Sequence, residues 1–296
     1  MKEKYILFQH TKLYYKTVGT GFPVLLIHGF AEDSRIWDGQ VEFLKNDYKL
    51  IIPDLPGSGK SEMINSPLSF GEGLGVRSKE NVGMEDYALC IKQILTEEKI
   101  GRCIMIGHSM GGYITLAFAE KFPGMLIAFG LFHSSAYADD NEKVNMRKKA
   151  IGFIESNGSE AFLKTSIPGL FMEQGNSKLP DALLEKETMP GHKKWPDILI
   201  ERGKTFLPIV LIQYYKAMIA RPDRTKILKN TTIPVLFIMG EHDKAVPFKM
   251  GLEQSHMAKQ THVHILRNSA HMGMLEEPDK TNQILANFLL TRTGIN

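Results

Sequence analysis

The sequence predicts an α/β fold built on a mostly parallel, doubly wound sheet, with a helical insert after its sixth strand. Three observations predict it. Short apolar runs alternate with helix-spaced segments over residues 1–132, and the alternation returns over 231–296, as expected of a parallel sheet with helices on both faces. The 98 residues from 133 to 230 carry helical patterns and no convincing strand–helix–strand unit. The chain has 296 residues, 43% hydrophobic and 23% charged. That is enough to bury a large core without disulfides or metals. One discontinuous core domain (1–132 with 231–296) and one insert (133–230) are therefore expected.

Taken in order, Tyr5–Phe8 and Leu13–Val18 read as strands. Gly19-Thr20-Gly21 is a turn, and Val24–Ile27 is an aliphatic run suited to a strand buried on both faces. Ile36–Leu44 has apolar residues at helical spacing. Lys49–Pro53 is a strand that ends on a proline, where a missing N–H does least harm. Residues 54–83 hold six glycines and little periodicity, and read as a long loop. Met84–Ile100 is a helix, Cys103–Ile106 a strand, Tyr113–Phe122 a helix stopped by Pro123-Gly124, and Met125–Phe132 a strand. Within the insert, helices are expected near 142–155, 159–165, 180–188 and 206–219, punctuated by Pro168-Gly169, Pro190-Gly191 and Pro196. Pro234–Met239 and His262–Leu266 then read as strands, and Lys249–Met257 and Asp279–Thr291 as helices.

Composition excludes several classes. A net charge of +3 leaves no footprint for nucleic acid or an anionic membrane. Two cysteines, Cys90 and Cys103, make neither a disulfide scaffold nor a structural zinc site by themselves. A single bridge between them is one reading, and two reduced, buried thiols in a cytoplasmic protein are the expected one. The first eight residues hold only a four-residue apolar run, where a signal peptide needs ~7–15 apolar residues. No run reaches the ~18 of a membrane span.

One motif carries chemistry. Gly107-His108-Ser109-Met110-Gly111 fits G-x-S-x-G and lies between an expected strand and an expected helix, the context such a nucleophile turn requires. Ser109 must sit on a sharp, strained turn. Glycines at 107 and 111 remove side chains that would collide there, and Gly112 lets helix and strand approach. The turn lifts the serine hydroxyl to the C-terminal edge of the sheet, where ligands enter such folds. A serine hydroxyl is a weak nucleophile near neutral pH. It needs a base, and the base needs a carboxylate to fix its tautomer. Two later strand ends supply both: Asp243 follows Pro234–Met239, and His271 follows His262–Leu266. Asp243 is assigned as the orienting acid and His271 as the base. His242 and Glu241 are weaker rivals, and His133-Ser134-Ser135-Ala136 offers no carboxylate.

These strand-end patterns resemble the α/β-hydrolase fold family. Besides Gly107–Gly112, the resemblance rests on Gly240-x-x-Asp243-x-x-Val246-Pro247, Ala270-His271, Ile27-His28-Gly29-Phe30 and Asp54-Leu55-Pro56-Gly57-Ser58-Gly59-x-Ser61. They occur in the family's order and span residues 24–271. It is similar above all to the cofactor-free esterases, carbon–carbon hydrolases and acyl-ester hydrolases. The resemblance implies that the insert is the family's cap, and that no metal or organic cofactor is needed. It implies an oxyanion hole from the backbone N–H groups of Phe30 and Met110. His28, Gly29, His108 and Met272 become candidates for the substrate pocket, with His28 expected to order the oxyanion turn. The implied activity is hydrolysis of a small or medium carboxylic ester through an acyl-enzyme on Ser109. Thioester or carbon–carbon hydrolysis by the same triad is the alternative. A hydrolase-like receptor is the reading from another class, against which an intact Ser/Asp/His set weighs.

Other patterns are weaker. Gly59-Lys60-Ser61 lacks the first glycine of a phosphate loop, because position 54 is Asp. Gly71–Val76 lacks the last glycine of a dinucleotide fingerprint and follows no strand. His262 and His264 alternate on one strand without a third metal ligand, and read as ordinary strand residues. The insert holds 16 basic and 12 acidic residues, a net of +4, which leaves −1 for the rest. Arg147-Lys148-Lys149 is expected to form one solvated helix face. An acidic acyl carrier is the partner that a basic insert would suit, alongside a small-molecule ester.

Overall fold

The computed structural model describes residues 1–64, 82–172 and 194–293. The helix expected near 180–188, and residues 65–81 of the expected long loop, lie outside them. Eight strands form one sheet: β1 (Lys2–Phe8), β2 (Thr11–Val18), β3 (Phe22–Ile27), β4 (Tyr48–Pro53), β5 (Cys103–His108), β6 (Leu126–Phe132), β7 (Val235–Gly240) and β8 (Thr261–Leu266). Their order across the sheet is β1-β2-β4-β3-β5-β6-β7-β8. Only β2 runs against its neighbours; β3 to β8 are parallel.

The central strands are buried along their whole length in β5 and β7. That is why their sequences read as continuous apolar runs rather than alternations. Register decides where the chemistry falls. Ile27 lies opposite Gly107, His108 opposite Phe132, Phe132 opposite Ile238, and Gly240 opposite Leu266. The C-terminal ends of β3, β5, β6, β7 and β8 therefore line one edge of the sheet.

The helices of the core are α1 (Asp38–Leu44), α2 (Met84–Glu97) and α3 (Met110–Lys121) in the first part of the chain. Ile36 and Trp37, expected in the first helix, belong instead to a 3-10 turn capped by the Asp33 carboxylate, which accepts from Arg35 N–H. Helix α2 stops short of the expected Ile100 because Lys99 turns to φ 55°, a left-handed conformation that cannot continue a helix. Helix α3 starts directly after Ser109, three residues before the expected Tyr113. Two glycines hid its first turn from propensity.

Between β6 and β7 come α4 (Asn141–Ser166), α5 (Trp195–Gly203), α6 (Pro208–Ala220) and α7 (Thr225–Asn230), and among the described residues this stretch holds no strand. Helix α4 breaks at Gly158, where φ is 81° and ψ 172°, so it matches the two helices expected on either side of 156–158. Helix α5 was not expected. Pro196 read as a breaker, but it falls in the first turn, where no intrahelical N–H is needed. The rest of the core is α8 (Phe248–Ser255), α9 (Gly273–Glu276) and α10 (Pro278–Thr293).

Arg147 corrects one expectation. It is not part of a solvated face with Lys148 and Lys149, which are exposed. Arg147 is 8% exposed, and its Nε donates to Asp139 at 2.6 Å. Arg221 donates to the other oxygen of Asp139 at 2.9 Å. One carboxylate thus ties together the two connections through which the insert leaves and rejoins the sheet. The insert is also seated by Tyr214, whose hydroxyl donates to Pro56 O at 2.8 Å and accepts from Ser58 at 2.7 Å. Among the described residues no helix is long and apolar enough to cross a membrane. Cys90 and Cys103 are free and buried.

Candidate active site

The nucleophile turn is held by its surroundings on every side. Ser109 has φ 51° and ψ −115°, a strained conformation for a residue with a side chain. Its N–H donates to Phe132 O at 2.9 Å. Its carbonyl accepts from Gly112 N–H at 2.9 Å and from the Ser134 hydroxyl at 2.7 Å. A Cβ at Gly107 would lie 2.5 Å from Gly112 N and closer still to the Gly111 carbonyl. A Cβ at Gly111 would strike the carbonyls of Ile27 and His28 at the end of β3. The two glycines thus serve different contacts. Gly107 clears the turn itself, and Gly111 clears the neighbouring strand.

The three side chains assigned from sequence come together in one relay. His271 Nε2 is 2.9 Å from Ser109 Oγ, and His271 Nδ1 is 2.8 Å from Asp243 Oδ2. Asp243 Oδ1 accepts from the N–H groups of Ala245 and Val246, each at 2.8 Å. That fixes the carboxylate and leaves Oδ2 to face His271. Burial alone would raise the Asp243 carboxyl, but the imidazoles of His271 and His133 and their hydrogen bonds hold it well below the usual carboxylate range. His242 and Glu241, the rivals from sequence, are exposed.

A second histidine reaches the same carboxylate. His133 directly follows β6 with φ 48°, and its Nδ1 lies 3.2 Å from Asp243 Oδ2. The carboxylate can only accept, so this contact needs the proton on Nδ1, a nitrogen that Gly240 N–H also faces at 3.2 Å. Nε2 then accepts from Gly273 N–H at 3.3 Å. Burial pulls the His133 imidazole down to about 4, against the opposing pull of Asp243, so it is neutral near pH 7. His133, Asp243 and His271 are the one group of three among the described residues whose atoms could converge on an ion. Each of those atoms already serves the hydrogen-bond network.

Beside Ser109 runs the turn after β3. His28 is fully buried. Its Nδ1–H donates to Gly29 O at 2.8 Å, and its Nε2 accepts from Leu55 N–H at 2.9 Å. Both ring nitrogens are spent on neighbouring main chain. Gly29 N–H donates to Glu32 Oε2 at 2.7 Å, and the next amide of the turn is that of Phe30. A Cβ at Gly29 would be 3.2 Å from Ser109 Cβ, which shows how closely the turn passes Ser109. Met110 N–H is the first of α3 and has no intrahelical acceptor. The Phe30 ring stacks on Tyr215 at 4.5 Å between centroids and meets Phe162 and Tyr214 edge-on at 6.3 and 6.1 Å. Helices α4 and α6 therefore cover this turn.

The insert touches the base loop as well. His271 N–H donates to Leu170 O at 2.9 Å, and Met172 N–H donates to Glu276 Oε1 at 2.9 Å. Of the pocket candidates, Gly29 lies against Ser109. His28, His108 and Met272 are fully inaccessible and stand behind the site. Sequence reasoning missed Glu32, His133 and Glu276. Nothing but the proximity of Glu32 to His28-Gly29 signalled any of them.

A strand-edge serine, a histidine and an aspartate in relay on this sheet define a class, the α/β hydrolases. The alpha/beta hydrolase family model matches residues 24–284, and the chain belongs to that family and is a hydrolytic enzyme. A thermophilic esterase from Thermogutta terrifontis superposes with a TM-score of 0.80 at 23% identity, covering 99% of this chain and 100% of the esterase. The enol-lactonase of Burkholderia xenovorans superposes with a TM-score of 0.76 at 20% identity, over 97% and 99% of the two chains. In sequence, a 2-hydroxy-6-oxononadienedioate/2-hydroxy-6-oxononatrienedioate hydrolase from a Pseudomonas species is 24% identical over 90% of this chain and 87% of its own.

Proposed function

We propose that the protein is a serine hydrolase of small or medium carboxylic esters that works through an acyl-enzyme on Ser109. The observation that carries this reading is the unbroken relay from Ser109 Oγ to His271 to Asp243, at 2.9 and 2.8 Å. In the proposed reaction His271 takes the serine proton as Oγ attacks the carbonyl, then gives it to the leaving alcohol. Asp243 keeps the Nδ1 proton on the far side of the ring, so that Nε2 is the free base. Phe30 N–H and Met110 N–H receive the negative charge that develops on the carbonyl oxygen. Each such donor contributes ~2.7–4 kcal/mol to lowering the barrier. Water, activated by the same histidine, then releases the acid.

In this reading residues 133–230 are a cap. Its aromatic rings lie over the oxyanion turn and its Pro168–Met172 segment lies on the base loop, so the cap shapes which acyl or alcohol group fits. The reaction needs no metal or organic cofactor, and the free thiols suit the cytoplasm. Carbon–carbon bond hydrolysis by the same relay is the second reading, favoured by the likeness to the dioate hydrolase. Nitrophenyl esters of increasing acyl length, a 2-hydroxy-6-oxo-dienoate and a fluorophosphonate probe test both. Labelling and ester turnover are expected, and both vanish in Ser109→Ala. A wild-type protein inert to esters and probe overturns the proposal, and turnover of the dienoate alone favours the second reading.

A further inference from the structure

Behind the oxyanion turn lies a buried pair of titratable side chains that the proposed reaction does not use. His108 is fully inaccessible and Glu32 is 7% exposed. His108 Nε2 is 3.0 Å from the backbone oxygen of His271, and His108 Nδ1 is 3.1 Å from Glu32 Oε2. A backbone carbonyl only accepts, so Nε2 carries a proton. An ionised carboxylate also only accepts, and this one already receives Gly29 N–H. Both ring nitrogens are then donors, and the pair is an imidazolium against a carboxylate.

The surroundings agree with that charge state. Trp37 and Phe132 meet the His108 ring edge-on at 6.4 and 5.8 Å, and the rings of His133 and His271 lie at 6.0 and 5.0 Å. Asp243 adds a second negative charge nearby. Burial pulls His108 down, but the Glu32 carboxylate and its hydrogen bond hold it above the ordinary histidine value. Burial pushes Glu32 up, and His108 holds it below the ordinary carboxylate value.

We propose that Glu32 and His108 are a positioning pair that spans the site. Its acidic end fixes Gly29 N–H, one residue before the oxyanion amide of Phe30, and its basic end fixes the main chain of His271. The inference rests on the serine-hydrolase reading for its catalytic consequence. The pair links the two groups that must hold station around Ser109 Oγ. An apolar pair of equal volume would fill the space and remove two buried charges. It would also leave Gly29 N–H and His271 C=O buried without partners, free to drift from their working positions.

The test compares wild type with the near-isosteric Glu32→Gln, with His108→Asn, and with the double variant. Nitrogen NMR of histidine-labelled protein at pH 8 reads the charge state independently of any turnover. Wild type is expected to show His108 protonated on both nitrogens. Glu32→Gln is expected to lose one of those protons and to shift the His271 ring signals. Against nitrophenyl esters, each single variant is expected to lose ~10–100-fold in kcat, the size of effect a misplacement below 1 Å produces. KM is expected to stay within about 3-fold, with the double variant no worse than the worse single one, as for residues acting as a unit. A neutral His108 in wild type, unmoved His271 signals in Glu32→Gln, or kcat losses that merely follow the folded fraction would each overturn the proposal. Failure of the ester reading shows separately, as wild type inert to esters and probe.

Discussion

Gly107→Ala isolates the steric logic of the nucleophile turn. The backbone at 107 lies outside the left-handed region, so the added methyl brings no conformational penalty and acts by contact alone. Its Cβ would sit 2.5 Å from Gly112 N, with the Gly111 carbonyl closer still, whereas real Cβ contacts hardly ever fall under 3.0 Å. The turn must therefore open by about 0.8 Å to clear the Gly111 carbonyl, against main chain rather than a flexible side chain. Forced expansion of packed structure costs ~1–3 kcal/mol. A misplacement of ~1 Å at reacting groups costs ~100-fold in rate, so even partial transmission of that opening to Ser109 costs about 10-fold or more. Gly152→Ala is the control. It sits mid-helix with nothing within 4 Å of the new methyl, and should stabilise by ~0.5–1 kcal/mol. Chemical denaturation and nitrophenyl ester kinetics on both variants give the comparison. Gly107→Ala with wild-type midpoint and kcat would refute the steric argument.

Three further outcomes are expected. Asp243→Asn keeps the shape but presents an amide N–H or a neutral oxygen to His271 Nδ1, and should lower kcat ~10⁴-fold with little change in KM; a loss under 10-fold would remove Asp243 from its role. His133 is neutral when folded, with its value depressed from 6.5 to about 4. The unfolded chain therefore binds more protons in that window, and stability present above pH 6.5 is lost as pH falls toward 4, by about 3 kcal/mol. His133→Gln should flatten that acid limb in melts taken from pH 7 to 4, and an unchanged slope would contradict it. Asp139→Ala leaves Arg147 and Arg221 without their shared counter-charge and should cost ~3–5 kcal/mol; a change under 1 kcal/mol by urea titration would contradict it.

The strand ends were the most legible part of this chain. Buried parallel strands are unbroken apolar runs, so the turns after β5, β7 and β8 could be located, and Ser109, Asp243 and His271 picked out as candidates there, without seeing the sheet. Helix starts were less legible wherever a residue's local preference opposed its context. Gly111 and Gly112 concealed the first turn of α3, and Pro196 concealed α5. Least legible were partnerships between distant side chains. Arg147 looks like the head of a solvated basic run until Asp139 and Arg221 are seen beside it. His133 reads as a strand-end histidine without a carboxylate, and the carboxylate it serves lies 110 residues away. Periodicity reports which way a side chain faces. It holds no information on what another segment brings to meet it.

The register of the sheet also orders the birth of the site. During synthesis β1 to β6 emerge first and can pair among themselves, but β7 and β8 follow only after the whole of 133–230 has left the ribosome. Until then β6 is an open edge, and Ser109 stands without His271 and Asp243. The serine and histidine are 162 residues apart in the chain, and loop closure over such distances delays their meeting. In a refolding experiment the far-ultraviolet signal should therefore recover ahead of reactivity toward a phosphonate probe. A nascent chain halted before β8 should be unable to hydrolyse its own substrate. On the serine-hydrolase reading, competence waits for the final parallel strand, which His271 follows.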